Sequence, residues 1–345
     1  MRATVGPRRS PGSGRIVLGV TKLGYQIPNF TYPGVAPVDL FSTIARQAHD
    51  ADASGFDTVM VMDHFYQLPM LGPPDLEMLE CYTLLSSLAQ HTSTVRLSAL
   101  VTGNTYRHPT LLAKTLTTLD VVSGGRAQLG IGAGWFELEH DSLGFEFGTF
   151  TERFEKLEEA LQIIKGMFAG EKPTLDGTWY QVTEAINSPA PLGKIPIMIG
   201  GGGEKKTLRL VAQYADESNL ICGVDEIPRK LDALAGHCDR LGRDRSEITV
   251  SYQGMACIAP SHDEAVAELD AMLLAIQGID LSSMSKEDAA AIRAIVPHGD
   301  PDEIGETFST YLATGVDGFT VAAPANGHVE GRVALLGETL SRVVA

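Results

Sequence analysis

The fold is decided by residues 95–135, which read VRLSALVTGNTYRHPTLLAKTLTTLDVVSGGRAQLGIGAGW. Residues 95–101 form a short apolar run with β-branched side chains, which is typical of a strand. Pro109 then opens a segment whose leucines, in residues 111–119, recur at helical spacing, and proline is tolerated in the first turn of a helix. Residues 127–131 form a second apolar strand. Two strands joined by a helix predict a parallel βαβ unit, in which both strand ends face one crevice.

The same alternation of strands and helices continues along the chain. Apolar runs typical of strands occur at residues 16–20, 58–62, 95–101, 127–131, 195–199, 218–222, 248–258 and 318–322. Amphipathic helices are predicted between nearly all of them, at residues 39–54, 151–168, 207–215, 226–241, 262–276 and 302–314. This order predicts an α/β fold, a (β/α)8 TIM barrel with insertions that forms one domain over residues 15–345. A doubly wound open sheet is the alternative, although no GxGxxG motif follows the first strand.

Composition and charge exclude several classes of protein. The 345 residues are 44% hydrophobic and carry a formal net charge of −16, which argues against nonspecific binding to nucleic acid. No apolar run has the length that a membrane span needs. The four cysteines show no metal-ligand spacing, which predicts reduced thiols, no metal site and a cytoplasmic location. Residues 1–14 lack the apolar stretch of a secretory signal, and we expect them to form a disordered tail.

Four segments are longer than ordinary connections in a compact domain. They are residues 68–79, 134–148, 171–194 and 278–299, the last with a short helix predicted at 286–295. Long loops are usually lids or binding loops, and in a barrel those that follow strands lie on the active face.

Polar side chains stand where the second and third predicted strands end. Asp63 and His64 follow the second strand directly, and histidine can give or take a proton near neutral pH. Asp63 can orient the histidine or accept an N–H of a ligand. Arg107 follows the third strand, where it can pair with an anionic ligand or form a structural salt bridge.

Glycine-rich strand ends supply two further candidate binding elements. The fourth strand exits through Gly134 and Trp135, which would let a flat ligand approach closely and stack on the indole. Four glycines, residues 200–203, follow the fifth strand and open a helix, and free backbone amides with nearby lysines predict an anion site there.

One charged cluster is interpreted as structural. Glu137, Glu139, His140 and Asp141 suggest a metal cluster, but charged residues after a strand are more typical of the solvated start of a loop.

Four motifs together resemble the bacterial luciferase-like monooxygenase superfamily, and most of all its branch that uses the deazaflavin coenzyme F420. They are DHF at 63–65, TYRHP at 105–109, LDVVSGGRAQLGIGAGW at 119–135 and IPIMIGGGG at 195–203. The resemblance implies a (β/α)8 barrel, a homodimer, and a tricyclic ring bound at the C-terminal rim of the strands.

The resemblance also implies roles for individual residues. A non-proline cis peptide in a bulge of strand three should press on the ring, at Ala99-Leu100 within one residue. Asp63 and Thr102 should contact the ring, and His64 should be the acid or base near the position of hydride transfer. The turn Gly201, Gly202 and Gly203 with Glu204 should hold the ribityl phosphate, and Lys205 or Arg209 the polyglutamate tail.

The chain departs from the sugar-phosphate dehydrogenases of that branch. Those enzymes carry a glutamate at the strand-four exit, where this chain has Trp135. We therefore expect an F420-dependent oxidoreductase that transfers a hydride to or from a small apolar or aromatic molecule rather than glucose 6-phosphate. The alternatives are a two-component monooxygenase that uses reduced FMN and a non-catalytic flavin-binding barrel.

Overall fold

The computed structural model describes residues 22–345, which contain a closed barrel of parallel strands with helices around it. In chain order the strands are β1 (Leu23–Ile27), β2 (Thr58–Val61), β3 (Arg96–Ala99), β4 (Thr102–Gly103), β5 (Ala127–Gly132), β6 (Leu175–Asp176), β7 (Gln181–Val182), β8 (Ile197–Gly200), β9 (Glu217–Leu220), β10 (Thr249–Met255), β11 (Cys257–Ile258), β12 (His298–Gly299) and β13 (Gly318–Ala322).

The barrel follows the order β3, β2, β1, β13, β10, β9, β8, β5, and it closes where β5 pairs with β3. Strand β4 continues β3 after a break and pairs with β5 as well. All these pairings are parallel. The predicted (β/α)8 barrel is therefore confirmed, and the open sheet is wrong.

Two sequence predictions concern the start of the chain. The tail at residues 1–14 and the strand at residues 16–20 lie outside the described residues. The first barrel strand is Leu23–Ile27, which pairs with β2 and β13. The prediction for that strand was wrong because two short apolar runs follow each other closely, and apolarity alone does not choose between them.

Every predicted helix is present close to its predicted position, and three further helices, at Cys81–Leu88, Glu137–Leu143 and Arg332–Val344, were not predicted. In chain order the helices are α1 (Leu40–Ala53), α2 (Cys81–Leu88), α3 (Pro109–Ser123), α4 (Glu137–Leu143), α5 (Phe150–Phe168), α6 (Thr207–Tyr214), α7 (Ile227–Leu241), α8 (His262–Gln277), α9 (Lys286–Arg293), α10 (Pro301–Leu312) and α11 (Arg332–Val344). The apolar faces of α1–α3, α5–α7, α10 and α11 pack on the outside of the barrel in one large buried core.

Local chemistry explains the bounds of the crossover helix α3. Its first turn contains Pro109, and the side chain of His108 accepts a hydrogen bond from the Thr110 amide. The helix ends at Gly124, whose φ of 73° is left-handed and suits glycine. The segment that decides the fold thus carries its own start and stop signals.

The third barrel strand is interrupted. Between β3 and β4 the peptide bond Leu100-Val101 is cis, within the one-residue margin of the predicted position. The side chain of Val101 packs against β5 and β8, since a Cβ atom at Gly132 or Gly200 would lie 3.0 Å or 2.8 Å from its methyl groups. Glycines in these two strands let the interrupted strand lie close to them.

The longer segments form structure of their own. The predicted loop after β5 contains α4, and the segment at 278–299 contains α9 and β12. Strands β11 and β12 form a separate parallel pair, so the predicted strand at 248–258 is two strands. A second small core, which includes Cys257 and Met272, holds α8 and α9 beside the barrel mouth.

Candidate active site

A cavity of about 660 Å³ opens at the C-terminal ends of the barrel strands. One side, the β2–β4 wall, consists of Asp63, His64, Leu100, Val101 and Thr102. The opposite side, the β10 wall, consists of Tyr252, Gln253, Gly254 and Met255. The cavity also touches residues from β1, the exits of β5 and β8, and the segments around Met70 and Ile295.

The side chain of Asp63, which follows β2, is held by groups from the segment around β4. Its Oδ2 atom accepts hydrogen bonds from Arg107, at 2.6 Å, and from the Gly103 amide, at 3.2 Å. Arg107 also bonds Glu80 and lies over the ring of Tyr82. Within residues 22–345 nothing hydrogen-bonds Asp63 Oδ1, so this oxygen remains an acceptor at the cavity. Of the two roles predicted for Arg107, the structural salt bridge rather than the contact with an anionic ligand agrees with these ion pairs.

The electrostatics of this pair follow from burial. Burial raises the pKa of Asp63, whose side chain is only 1% exposed, and the positive charge of Arg107 opposes that rise. Burial likewise disfavours the charged form of Arg107, but Asp63 and Glu80 raise its pKa above the ordinary value. Arg107 therefore stays cationic and compensates the buried aspartate.

His64 is oriented by a buried glutamate. Its Nδ1 atom lies 3.0 Å from Oε2 of Glu139, which also accepts from the hydroxyl of Tyr106. The other oxygen of Glu139 accepts from the backbone amides of Phe65, at 2.5 Å, and Tyr66, at 2.8 Å. A carboxylate at Nδ1 favours the tautomer with the proton there, which leaves the Nε2 lone pair available.

Glu139 is a site residue whose role the sequence prediction missed. It is 0% exposed and lies in α4, so the predicted solvated loop start is wrong for this residue. Burial alone would raise its pKa, but the hydrogen bonds from His64, Tyr106 and the Tyr66 amide lower it below the ordinary value. One signal in the sequence could have indicated the helix, since Gly144 follows its last residue and glycine commonly ends helices.

The neighbouring His140 has a structural role. It is buried, and its two ring nitrogens bond the Phe136 carbonyl at 2.8 Å and the Thr105 hydroxyl at 2.7 Å. Its ring also stacks on Tyr106. These contacts fix α4 against the loop after β4 and so fix Glu139 beneath His64. Among the described residues no group of three or more potential ligands is arranged for a metal ion.

The exit of β5 forms the mouth of the cavity. Trp135 is 56% exposed and lies against the rings of Phe136 and His64. Gly134, with a φ of 83°, turns the chain there. Arg153 donates to the Gly134 carbonyl and lies over the ring of Phe147.

The predicted cofactor residues divide into two groups. Those on the cavity are Asp63, Leu100, Thr102, Gly134, Trp135 and Gly201. Those outside its lining are Ala99, Gly202, Gly203, Glu204 and Lys205. Ala99 belongs to the core between barrel and helices because it points to the opposite side of the strand from Leu100. The hydroxyl of Thr102 bonds that of Tyr82.

The glycine turn carries an ion-pair network. Glu204 pairs with Lys230 at 3.1 Å and with Arg229 at 3.4 Å, which lowers the pKa of Glu204. Lys205 is exposed. Arg209 pairs with Glu158 at 2.6 Å, so this candidate for holding an anionic tail is already engaged.

Comparison with known proteins identifies a matching family model and similar proteins of known name. The family model of luciferase-like monooxygenases matches residues 21–318. A glucose-6-phosphate dehydrogenase from Microbacterium testaceum, named as F420-dependent, is 30% identical over 282 residues, which cover 77% of this chain and 82% of that protein. A 5,10-methylenetetrahydromethanopterin reductase from Methanolobus tindarius is 25% identical over 335 residues, which cover 88% and 97%.

A solved structure agrees in fold. A monooxygenase from Streptomyces bottropensis superposes with a TM-score of 0.76 at 18% identity, covering 94% of this chain and all of that one. No helix in residues 22–345 has the length and apolarity to cross a membrane. The matched span and the shared barrel show that the chain belongs to the luciferase-like monooxygenase family.

Proposed function

We propose that this protein is an oxidoreductase that uses coenzyme F420 to transfer a hydride to or from a small, neutral and largely apolar molecule. The observation that carries the proposal is the pair Asp63 and His64. Each has one atom tied by a group from another part of the chain and a second polar atom without a partner in residues 22–345, and both residues line the cavity. The relatives named as F420-dependent support the choice of cofactor.

The residues at the cavity fit a deazaflavin ring. When bound, F420 supplies a two-electron carrier that gives or accepts a hydride. Asp63 Oδ1 is an acceptor suited to an N–H group of the ring, and Leu100 and Val101 form an apolar wall beside it. Gly200 and Gly201, at the end of β8, line the cavity and have no side chains, so they would leave room for the phosphate-bearing side chain of the cofactor.

His64 would handle the proton. In reduction of a carbonyl, the substrate carbon gains a hydride and its oxygen gains a proton, which the protonated imidazole delivers from Nε2. In the opposite direction Nε2 removes the hydroxyl proton. Glu139 accepts from Nδ1 in both states and stabilises the imidazolium that forms in the second case.

The substrate side of the cavity argues against a sugar phosphate. Of the described residues that line the cavity, Arg153 is the one permanent cation, and it is engaged with two backbone carbonyls. A phosphate or carboxylate brought there would lack a partner. The mouth is instead ringed by exposed apolar side chains, namely Met70, Trp135, Phe150, Ile221 and Ile295. Such a rim favours an apolar substrate.

Titration of the purified protein with F420 and with FMN tests the cofactor. We expect binding of F420, and binding of FMN without F420 would contradict the proposal. Two turnover assays follow. In the first, cyclohex-2-en-1-one is added to reduced F420 and the oxidation of the cofactor is measured. In the second, glucose 6-phosphate is added to oxidised F420 and the reduction of the cofactor is measured for comparison. Substrate-dependent oxygen uptake with reduced FMN would indicate the monooxygenase, and cofactor binding with no turnover across a broad substrate panel would indicate a flavin-binding barrel.

A further inference from the structure

Two glutamine side chains meet on the substrate side of the cavity. Gln26 comes from β1 and Gln253 from β10, and both strands pair with β13. The Nε2 atom of Gln253 donates to Oε1 of Gln26 at 2.7 Å. Gln26 is only 6% exposed, and both side chains line the cavity. The pair is therefore a polar element among largely apolar surroundings, buried at Gln26 and half-buried at Gln253.

The pair leaves polar atoms unused. In the described part of the chain no group hydrogen-bonds Nε2 of Gln26, and Oε1 of Gln253 is buried without a partner. If the oxygen and nitrogen positions of both amides were exchanged, Gln26 would donate and Gln253 would accept. One amide would still donate to the other. One NH2 group and one carbonyl oxygen remain unpaired either way. Buried polar groups are normally hydrogen-bonded, so this pair is suited to a ligand.

Neighbouring groups on this side are also neutral. The rings of Tyr252 and Tyr311 meet at 5.7 Å, both line the cavity, and in residues 22–345 neither hydroxyl has a hydrogen-bond partner. Burial raises the pKa of both phenols, so they stay protonated and can donate. The side chains of Met255 and Ile295 complete an apolar surface around them.

We propose that the Gln26–Gln253 pair anchors the substrate through a neutral carbonyl oxygen, which accepts a hydrogen bond from the free amide NH2 of Gln26. The inference rests on the proposed function and narrows its substrate to an uncharged carbonyl compound with an apolar body. Gln26 is then a specificity-determining residue. A carbonyl is favoured over a carboxylate because no permanent cation lies on the β10 wall.

Calorimetric titration with two matched probes tests this inference. Acetophenone and α-methylstyrene have nearly the same shape, but the second has C=CH2 in place of C=O. The protein is first loaded with whichever of F420 and FMN it binds, or used unloaded if it binds neither. A failed F420 assignment would thus be recorded separately and would leave this test intact.

The unaltered protein should bind acetophenone about fivefold more tightly than α-methylstyrene, the ratio that one neutral hydrogen bond gives. The Gln26→Leu variant should lose this preference while its cofactor affinity stays the same. Gln213→Leu, the same change on an exposed face of α6, should retain the preference. If Gln26→Leu does not fold, Gln26→Glu decides, because it keeps the acceptor for Gln253 and removes the free NH2. Equal binding of the probes by the unaltered protein, or a preference that survives both Gln26 changes, would overturn the inference.

Discussion

The two sides of the cavity are built in opposite ways. On the β2–β4 wall each polar side chain is held at one atom by a partner from elsewhere in the chain, as Asp63 is by the cation of Arg107 and His64 by the carboxylate of Glu139. On the β10 wall the polar groups are neutral, and among residues 22–345 neither Oε1 of Gln253 nor the hydroxyl of Tyr252 has a hydrogen-bond partner. Fixed geometry is thus concentrated where proton and hydride transfer would need it, and the other side is left to suit a ligand.

Removing the charge from the Asp63 ion pair should give the largest effect. Asp63→Asn leaves the cation of Arg107 with little compensation in a largely buried position. We expect a loss of about 3 kcal/mol in the free energy of unfolding, measured in urea, together with loss of F420 binding. Glu80→Gln is the control, because Glu80 is the more exposed partner of the same arginine and should cost less than about 1 kcal/mol. Equal losses in the two variants would contradict the contrast between the walls.

His64→Ala should separate turnover from binding. Because the side chain would carry the proton but not the cofactor, turnover of reduced F420 should fall about 100-fold, while the dissociation constant for F420 stays within about threefold. Steady-state kinetics and fluorescence titration measure the two quantities. Unchanged turnover would remove His64 from the proposed chemistry.

The close packing of the interrupted third strand against β8 can be tested by adding one methyl group at Gly200. In Gly200→Ala the new methyl group would meet Val101 at 2.8 Å, so the free energy of unfolding should fall by about 2 kcal/mol. In Gly236→Ala, on α7, the methyl group meets only the end of Arg240 at 3.7 Å, and alanine favours the helix. That control should be neutral or slightly more stable, as urea denaturation can establish. Similar behaviour of the two variants would show that Val101 adjusts freely.

The smallest effect should appear in the pH dependence of stability. The pKa of Glu139 is below its ordinary value in the folded chain, so its ionised form stabilises the fold at pH values above the unfolded pKa, about 4.3. This stabilisation is lost as the pH falls through the folded pKa. Between about pH 6 and pH 3 the unaltered protein should therefore lose more stability than Glu139→Gln. Parallel curves for the two proteins would show that Glu139 contributes no such linkage.

Much of the barrel could be predicted because its elements are periodic. Helix α7 was predicted at 226–241 and is found at Ile227–Leu241, since its apolar spacing and Gly242 mark both ends. Strand positions followed equally from apolar runs. The first strand was misplaced because two such runs lie side by side, and only pairing with β2 and β13 selects Leu23–Ile27.

The site was predicted less completely for a physical reason. Asp63 and His64 were found because they end a strand, which is a local feature. Glu139 was missed because charged residues near a strand exit are usually solvated, and its burial depends on amides more than 70 residues away. Gln26 and Gln253 were overlooked because the significance of each depends on the other, 227 residues away along the chain.

The hydrogen bonds that Glu139 accepts from the Phe65 and Tyr66 amides have a consequence for protein engineering. They join the segment after β5 to the end of β2, so the two segments hold each other in position. Exchanging residues 134–148 for those of another family member would not merely reshape the entrance. Such a graft would also change the orientation of the His64 ring, because Glu139 lies in the exchanged segment. A loop exchange made to change substrate preference must therefore keep a carboxylate at this position.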